Sequence, residues 1–471
     1  MLFNSLTFLV FFLVVLTIYY RLRWRAQNVL ILLSSCLFYG WWDYRFLILM
    51  AVSVTTDFFT GLAIANSKNP VQKKWFLAVS IVINLGILGF FKYFNFFVHS
   101  LERLLDSVGL PFLFPGLNIV LPVGISFYTF QSMSYSIDVY RSQIRPTRRY
   151  VEYAAFVSFF PQLVAGPIER ASHLLPQFQG PRRVSRERIQ QGLWLILWGL
   201  YKKVVVADNL SAIVDPVFGW HEPLTGWMVL IALYAFAMQI YCDFSGYSDM
   251  AKGLAGCMGF DLMHNFRIPY LARNPQMFWK RWHVSLSTWL RDYLYISMGG
   301  NRMGRAKTYR NLFLTMLIGG LWHGAAWTFV CWGAYQGVLL IVHRAWVEWR
   351  GTALRSAWGL PGKIIHWVIM FHAICLGWLL FRADSMFQAW LFIKTLATDF
   401  SGSARASGHF MAMVLLCLPL WLVDCAQEKS GDLDAPLRVP VALKVLLIAI
   451  LAIMIIGLGN TGTKQFIYFQ F

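Results

Sequence analysis

An all-α polytopic membrane protein is the fold class this sequence predicts, and three observations predict it. Of 471 residues, 58% are hydrophobic and only 13% are charged, where a soluble domain carries about 25% charged residues. Apolar stretches of roughly 20 residues, the length that crosses a bilayer as a helix, recur along the chain. The 21 Trp and 20 Tyr suit aromatic belts at the two membrane interfaces. The formal net charge of +19 is read as positive-inside topology and contact with anionic lipid of the bilayer, and no nucleic acid partner is expected. The seven cysteines lie mostly inside apolar segments and form no CxxC pair, so they read as small hydrophobes. No metal site, bound cofactor or disulfide framework is expected.

The elements follow in order. Residues 6–20 are apolar and precede Arg21, Arg23 and Arg25, which predicts a retained first span with its N-terminus outside, not a cleaved signal peptide. A return span is expected at 29–42, and a third, containing Asp57, at 46–65. It leads to cytoplasmic Lys68, Lys73 and Lys74. The span at 75–94 returns to an outer loop holding Glu102, Arg103 and Asp106. The span at 119–140 contains Pro122 and Gly124 and is expected to be broken. Residues 153–164 are too short to cross comfortably and fit a re-entrant segment, whose irregular backbone needs burial in protein or a wet cavity. The basic stretch Arg182 to Arg188 reads as a solvated cytoplasmic face, with contact to a phosphorylated donor as the alternative. Spans follow at 193–206 and 227–241, the second running into CDFSGYSDM, where Asp243 and Asp249 are assigned no role. Further spans are expected at 312–342, 364–381, 410–423 and 441–458. The total is about eleven or twelve membrane segments, some partial, in a single membrane domain over 1–471 with no internal repeat. The C-terminus then also lies outside.

The stretch 312–342 is the centre of this reading. It is apolar enough for a bilayer, yet it holds the ionisable His323 among Gly319, Gly320, Gly324, Trp322 and Trp327. An ionisable group at membrane depth is costly and marks a functional site. A second cluster, NPQMFWKRWHVSLSTWLRDYLYISMGGNR from Asn274 to Arg302, reads as one helix begun by Asn274-Pro275 and ended by Gly299-Gly300-Asn301. On it Trp282, Leu286, Trp289 and Tyr293 share one face, and His283, Ser287 and Arg291 another. Two readings stand: an interfacial helix that snorkels Lys280, Arg281 and Arg291 into headgroups, or a pocket wall shared with His323.

Together the two stretches resemble the membrane-bound O-acyltransferase (MBOAT) family. The carrying residues are W-H-x-S-L-S-x-W-x-R-D-Y-L-Y from Trp282, G-G-N-R from Gly299, G-L-W-H-G-A-A-W from Gly320, and P-Q-L-V-A-G-P-I-E-R from Pro161. The match looks closest to the bacterial branch that exports acyl groups for envelope polymers, in alginate, peptidoglycan and cellulose O-acetylation and teichoic acid D-alanylation. The resemblance implies a ring of helices around a central tunnel in the bacterial cytoplasmic (inner) membrane. It implies an acyl thioester donor arriving from the cytoplasm, for which acetyl-CoA is favoured over a carrier-protein thioester, and an SGNH-type extracytoplasmic acetyltransferase as partner. It also implies that His323 is the catalytic histidine and His283 the second polar position, with Trp322, Ser287, Arg291 and Trp327 as tunnel candidates.

The chemistry suits these residues. Acyl transfer from a thioester to a hydroxyl needs the alcohol proton removed, which a histidine does near neutral pH. The tetrahedral intermediate needs fixed donors such as a Trp N–H, an amide N–H or a second imidazole. There is no G-x-S-x-G elbow, so direct transfer without an acyl-enzyme on Ser or Cys is expected. The tail T-K-Q-F-I-Y-F-Q-F ends in the aromatic motif 466–471. By composition it is an interfacial anchor. By resemblance to this branch, Tyr468 is an acyl relay served by His323. Two other functions compete: acylation of a lipid or secreted protein, which needs no terminal tyrosine, and a transporter without chemistry, which would show inverted repeats.

Overall fold

Helix is the only regular element among the described residues, as a chain with few interior breakers in its apolar runs requires. The computed structural model describes residues 1–110, 116–220, 224–350, 359–401, 404–460 and 466–467. Six helices among them are long and apolar enough to cross a membrane: Phe46–Asn66, Pro70–Ser107, Gly226–Cys257, Leu360–Arg382, Ala404–Ser430 and Val441–Leu458. The expected total of eleven or twelve also counts shorter and partial helices. The residues group into two units, 1–193 with 251–263, and 194–250 with 264–471.

In the first unit, local signals start the helices. Ser5 accepts from the Phe8 N–H at 3.2 Å and begins Leu6–Tyr19. Asn69 accepts from the Val71 N–H at 2.9 Å, with Pro70 at the first helical position. That helix passes through a π-helical turn at Gly89–Tyr93 and runs on to Ser107. The expected outer loop at Glu102, Arg103 and Asp106 is therefore helix, because neither Gly nor Pro intervenes before Gly109. The expected break near Pro122 and Gly124 is present. The helix Ile125–Tyr140 begins after Gly124, whose φ is 75°, and a Cβ there would lie 2.6 Å from the Leu163 carbonyl oxygen. The expected re-entrant stretch forms two short helices, Tyr150–Ser158 and Phe160–Leu163, with Tyr153, Phe156, Phe159 and Phe160 fully buried.

Two polar knots tie this unit. Buried Asp57 accepts from Ser80 Oγ, from Asn84 Nδ2 at 2.7 Å and from Ser136 Oγ at 2.8 Å, joining three helices. Arg182 departs from both sequence readings. Its guanidinium donates to Tyr19 Oη at 2.7 Å, Asn28 Oδ1 at 2.7 Å and Gln27 Oε1 at 2.9 Å, and it lies 4.6 Å over the Phe260 ring. It is a structural tie, because five N–H donors in one planar fork reach several acceptors at once. Arg183 and Arg186 are exposed.

In the second unit, the helix ending at Leu200 widens into a π-helical stretch, Tyr201–Ala207, and continues as Asp208–Phe218. The helix Gly226–Cys257 runs unbroken through CDFSGYSDM, which brings its carboxylates to that stretch. Lys203 pairs with Asp208 at 2.9 Å and Asp243 at 2.7 Å, while Lys202 pairs with Asp249.

Three expectations change here. Residues 274–302 are not one helix: Asn274 caps Pro275–Trp279, the chain turns, and Val284–Trp289 runs into the π-helical Leu290–Tyr295. The break falls at His283, whose φ is 43°, so the four-residue spacing of His283, Ser287 and Arg291 does not make one face. The expected span 312–342 is a hairpin of two helices, Arg305–His323 and Trp327–Arg350. The Gly-Ala-Ala sequence at 324–326 opens it. The helix Met386–Thr398 escaped the sequence reading, and Ala404–Ser430 runs past the expected end at 423. Val441–Leu458 lies where expected.

Candidate active site

The site lies within the second unit and is built from a helix end, a strained turn and a cavity. His323 is the last residue of Arg305–His323, and the extended Gly324 stops the helix there. The hairpin partner comes very close. A Cβ on Gly320 would lie 2.3 Å from the Phe329 carbonyl oxygen, and one on Gly333 would lie 2.5 Å from that of Met316. Only glycine lets the two backbones meet at this distance. The contact sets His323 in an aromatic box, its ring centroid 5.0 Å from Trp322, 5.1 Å from Trp332 and 5.4 Å from Phe381, all edge-on. His323 is 4% exposed.

His283 is wholly buried and left-handed in its backbone. That conformation costs energy in a residue with a Cβ and persists only where neighbours impose it. The neighbours are the loop before it: the Val284 N–H donates to the Asn265 carbonyl and the Arg267 N–H to the Arg281 carbonyl, both at 2.9 Å. Asn265 Oδ1 accepts from the Ser285 N–H at 3.2 Å and Ser285 Oγ at 2.9 Å, which makes it an acceptor, and it lies 3.1 Å from His283 Nδ1. The Nδ1 therefore carries the proton, and in the neutral ring the Nε2 holds the lone pair. Phe244 packs edge-on against His283 at 4.6 Å. The two histidine rings are 6.4 Å apart, and Trp322 touches both, 6.1 Å from His283.

A cavity of about 530 Å³ opens beside His323, a size suited to a small organic ligand. Apolar Val284, Leu290, Leu312 and Met316 line it, along with Trp332 and the cations Lys280, Arg291 and Arg344. Arg291 is tethered by Asp292 at 2.7 Å and Arg344 by Glu348 at 2.8 Å. The Trp332 indole N–H is buried with no protein acceptor among the described residues, so it is a donor available to a ligand.

The sequence candidates separate as follows. His323, Ser287 and Arg291 stand on the cavity wall. His283 and Trp322 lie beside His323 but off that wall. Trp327 is 53% exposed and off the wall, because it opens a new helix after the hairpin bend. Tyr468 lies outside the described residues, although Phe466 and Ile467 before it are buried. Sequence reasoning missed Asn265, Trp332 and Arg344. The only signal for Asn265 was a polar residue between apolar runs.

The family model described as MBOAT, membrane-bound O-acyltransferase family, matches residues 127–381. The chain is similar to the "Probable alginate O-acetylase AlgI" of Pseudomonas aeruginosa, 45% identical over 394 residues that cover 83% of this chain and 74% of the relative. The protein of the same name from Azotobacter vinelandii is 45% identical over 395 residues, 83% of this chain and 77% of the relative. A "Peptidoglycan O-acetyltransferase" of Helicobacter pylori is 37% identical over 431 residues, 84% of this chain and 79% of the relative.

Proposed function

The chain belongs to the membrane-bound O-acyltransferase family and is an acyltransferase, and on that premise we propose that it moves an acetyl group from cytoplasmic acetyl-CoA across the bacterial inner membrane for O-acetylation of an envelope polysaccharide. Alginate and peptidoglycan are the polymers that the relatives' names suggest. The observation that carries the reading is the cavity with His323 on its wall and Lys280, Arg291 and Arg344 around it. An apolar chamber suits the thioester arm, and the cations suit the phosphates of its nucleotide.

In the reaction, the acceptor hydroxyl attacks the thioester carbonyl as His323 takes its proton. A C–O bond forms, the C–S bond breaks, and the leaving thiolate receives that proton. Positive charge on His323 is favoured at the carbonyl end of its helix. The Trp332 N–H, on a ring 5.1 Å from that of His323, is the donor for the oxyanion. His283, its neutral Nε2 an acceptor, acts as a second proton carrier or orients His323, and donates to the oxyanion only as an imidazolium. The acceptor in this reading is Tyr468, which passes the group to an SGNH-type extracytoplasmic acetyltransferase. Both chain termini then face outward.

The test uses purified protein in nanodiscs with radiolabelled acetyl-CoA, comparing wild type, His323→Ala and Tyr468→Phe. Thioester consumption lost in His323→Ala, and protein label lost in both variants, is the expected result. Full turnover in His323→Ala would sink the assignment of the base, and full acetyl transfer in Tyr468→Phe would sink the relay.

A further inference from the structure

The buried charges around Lys203 take no part in the chemistry above, yet they reach the C-terminal tail. The end of the last helix is gripped first: Asn209 Nδ2 donates to the Leu458 carbonyl at 2.8 Å, and the Asn460 N–H donates to the Val204 carbonyl at 3.0 Å. Val204 lies in the π-helical stretch Tyr201–Ala207, where the wider turn leaves carbonyls open to outside donors. Further along, the Ile467 N–H donates to Asp243 Oδ2 at 2.7 Å. The other oxygen of Asp243 meets Lys203 at 2.7 Å, and Lys203 also holds Asp208 at 2.9 Å. Phe466 packs its ring 5.6 Å from Phe244 and 5.3 Å from Tyr247, and Phe244 is the ring that edges His283 at 4.6 Å.

Adjacent residues of one helix thus do two jobs. Asp243 holds the tail backbone, and Phe244 joins the tail's aromatic packing to His283. A backbone N–H aimed at the carboxylate is a strong, charge-assisted compensation in a buried place.

We propose that Asp243 is a positioning residue for acyl transfer. Paired with Lys203 and Asp208, it holds the tail backbone at Ile467, one residue before the proposed acceptor Tyr468. This rests on the reading of Tyr468 as acceptor. A role in stability alone would leave the tail held in a folded variant and would not separate kcat from KM.

The experiment compares wild type, Asp243→Ala, Asp243→Asn and Tyr468→Phe as full chains in nanodiscs. Carboxypeptidase trimming through Ile467 is followed by intact mass, and acetyl transfer from radiolabelled acetyl-CoA in parallel. In Asp243→Ala, trimming accelerates about 10-fold or more, because a locally released tail is cleaved. Label on the tail falls about 10²-fold, the scale of a misplaced reacting group, with kcat reduced and KM for acetyl-CoA held. Asp243→Asn keeps the volume and one acceptor oxygen, gives a smaller change of the same sign, and carries the test if the alanine variant does not fold. Trimming at the wild-type rate in a folded variant would overturn the proposal. So would faster trimming with undiminished transfer. Full transfer in Tyr468→Phe would instead remove the relay reading, while the trimming contrast at Asp243 would stand.

Discussion

The Nδ1 of His283 and the Oδ1 of Asn265 lie 3.1 Å apart, and the same oxygen takes the Ser285 N–H and hydroxyl. One amide oxygen thus sets the tautomer of a buried histidine and pins a backbone turn that it would not otherwise adopt. Asn265→Ala removes both effects. Turnover is expected to fall about 10 to 10²-fold, since proton handling is lost. Unpairing the buried Ser285 donors costs about 1–3 kcal/mol. Steady-state kinetics with a thermal-inactivation scan checks both, and wild-type turnover in a folded Asn265→Ala protein would rule out a role for the tautomer.

The hairpin contact makes a steric prediction. A methyl group at position 320 has no room against the Phe329 carbonyl, 2.3 Å away. Gly320→Ala is expected to lower stability by about 1–3 kcal/mol, as overpacking does. It should also reduce turnover by shifting His323. Ala at Gly86, where a Cβ meets nothing within 4 Å, is the control for substitution itself.

Arg344 lines the cavity and is tethered by Glu348 at 2.8 Å. If it meets the donor's phosphates, Arg344→Ala raises the KM for acetyl-CoA about 10-fold, the scale of one charge-assisted contact, with little change in kcat. An acetyl thioester of pantetheine, which lacks the nucleotide, should be indifferent to the substitution. An equal loss with both donors would place Arg344 in some other role.

A pH dependence arises in the first unit. His173 Nδ1 lies 2.8 Å from Glu169, with Asp261 3.6 Å from the other nitrogen. The Asp261 and Glu169 carboxylates raise the imidazole to about 10. The folded value is above the ordinary one, so the stabilisation is complete below about pH 6.5 and fades as pH climbs to about 10. The gap in inactivation temperature between wild type and His173→Gln should be widest near pH 6 and close toward pH 10. A gap that does not vary with pH would show that this ion pair contributes nothing.

Apolar length was legible in the sequence, and so were the helix signals that act over a few residues. Asn274-Pro275 begins a helix as read, while the helical stretch expected to run to Gly299 and Gly300 already ends at Tyr295, and the two glycines, with φ of 100° and 56°, lie in the turn beyond it. Residues 441–458 became a helix with the expected bounds. What failed was the treatment of long apolar or periodic stretches as single rods. Composition does not show that Gly-Ala-Ala at 324–326 reverses the chain, nor that His283 turns left-handed, because both depend on partners distant in sequence. Asn265 imposes the second. His323 and Arg291 could be named from their motifs and do share a wall. Trp332 could not, because one tryptophan among 21 is unremarkable until its N–H is seen without an acceptor among the described residues. Asp57 and Arg182 were likewise opaque, since their satisfaction comes from several other helices.

The glycine contact between Arg305–His323 and Trp327–Arg350 has a mechanical meaning. Where backbone rests on backbone at Gly320 and Gly333, no compressible side-chain layer separates the two rods, so bending one there must carry the other along. His323 ends the first rod and Trp332 sits in the second. The group proposed to take the proton and the group proposed to steady the oxyanion therefore travel as one piece, and thermal jostling of the hairpin changes their shared position far more than the gap between them.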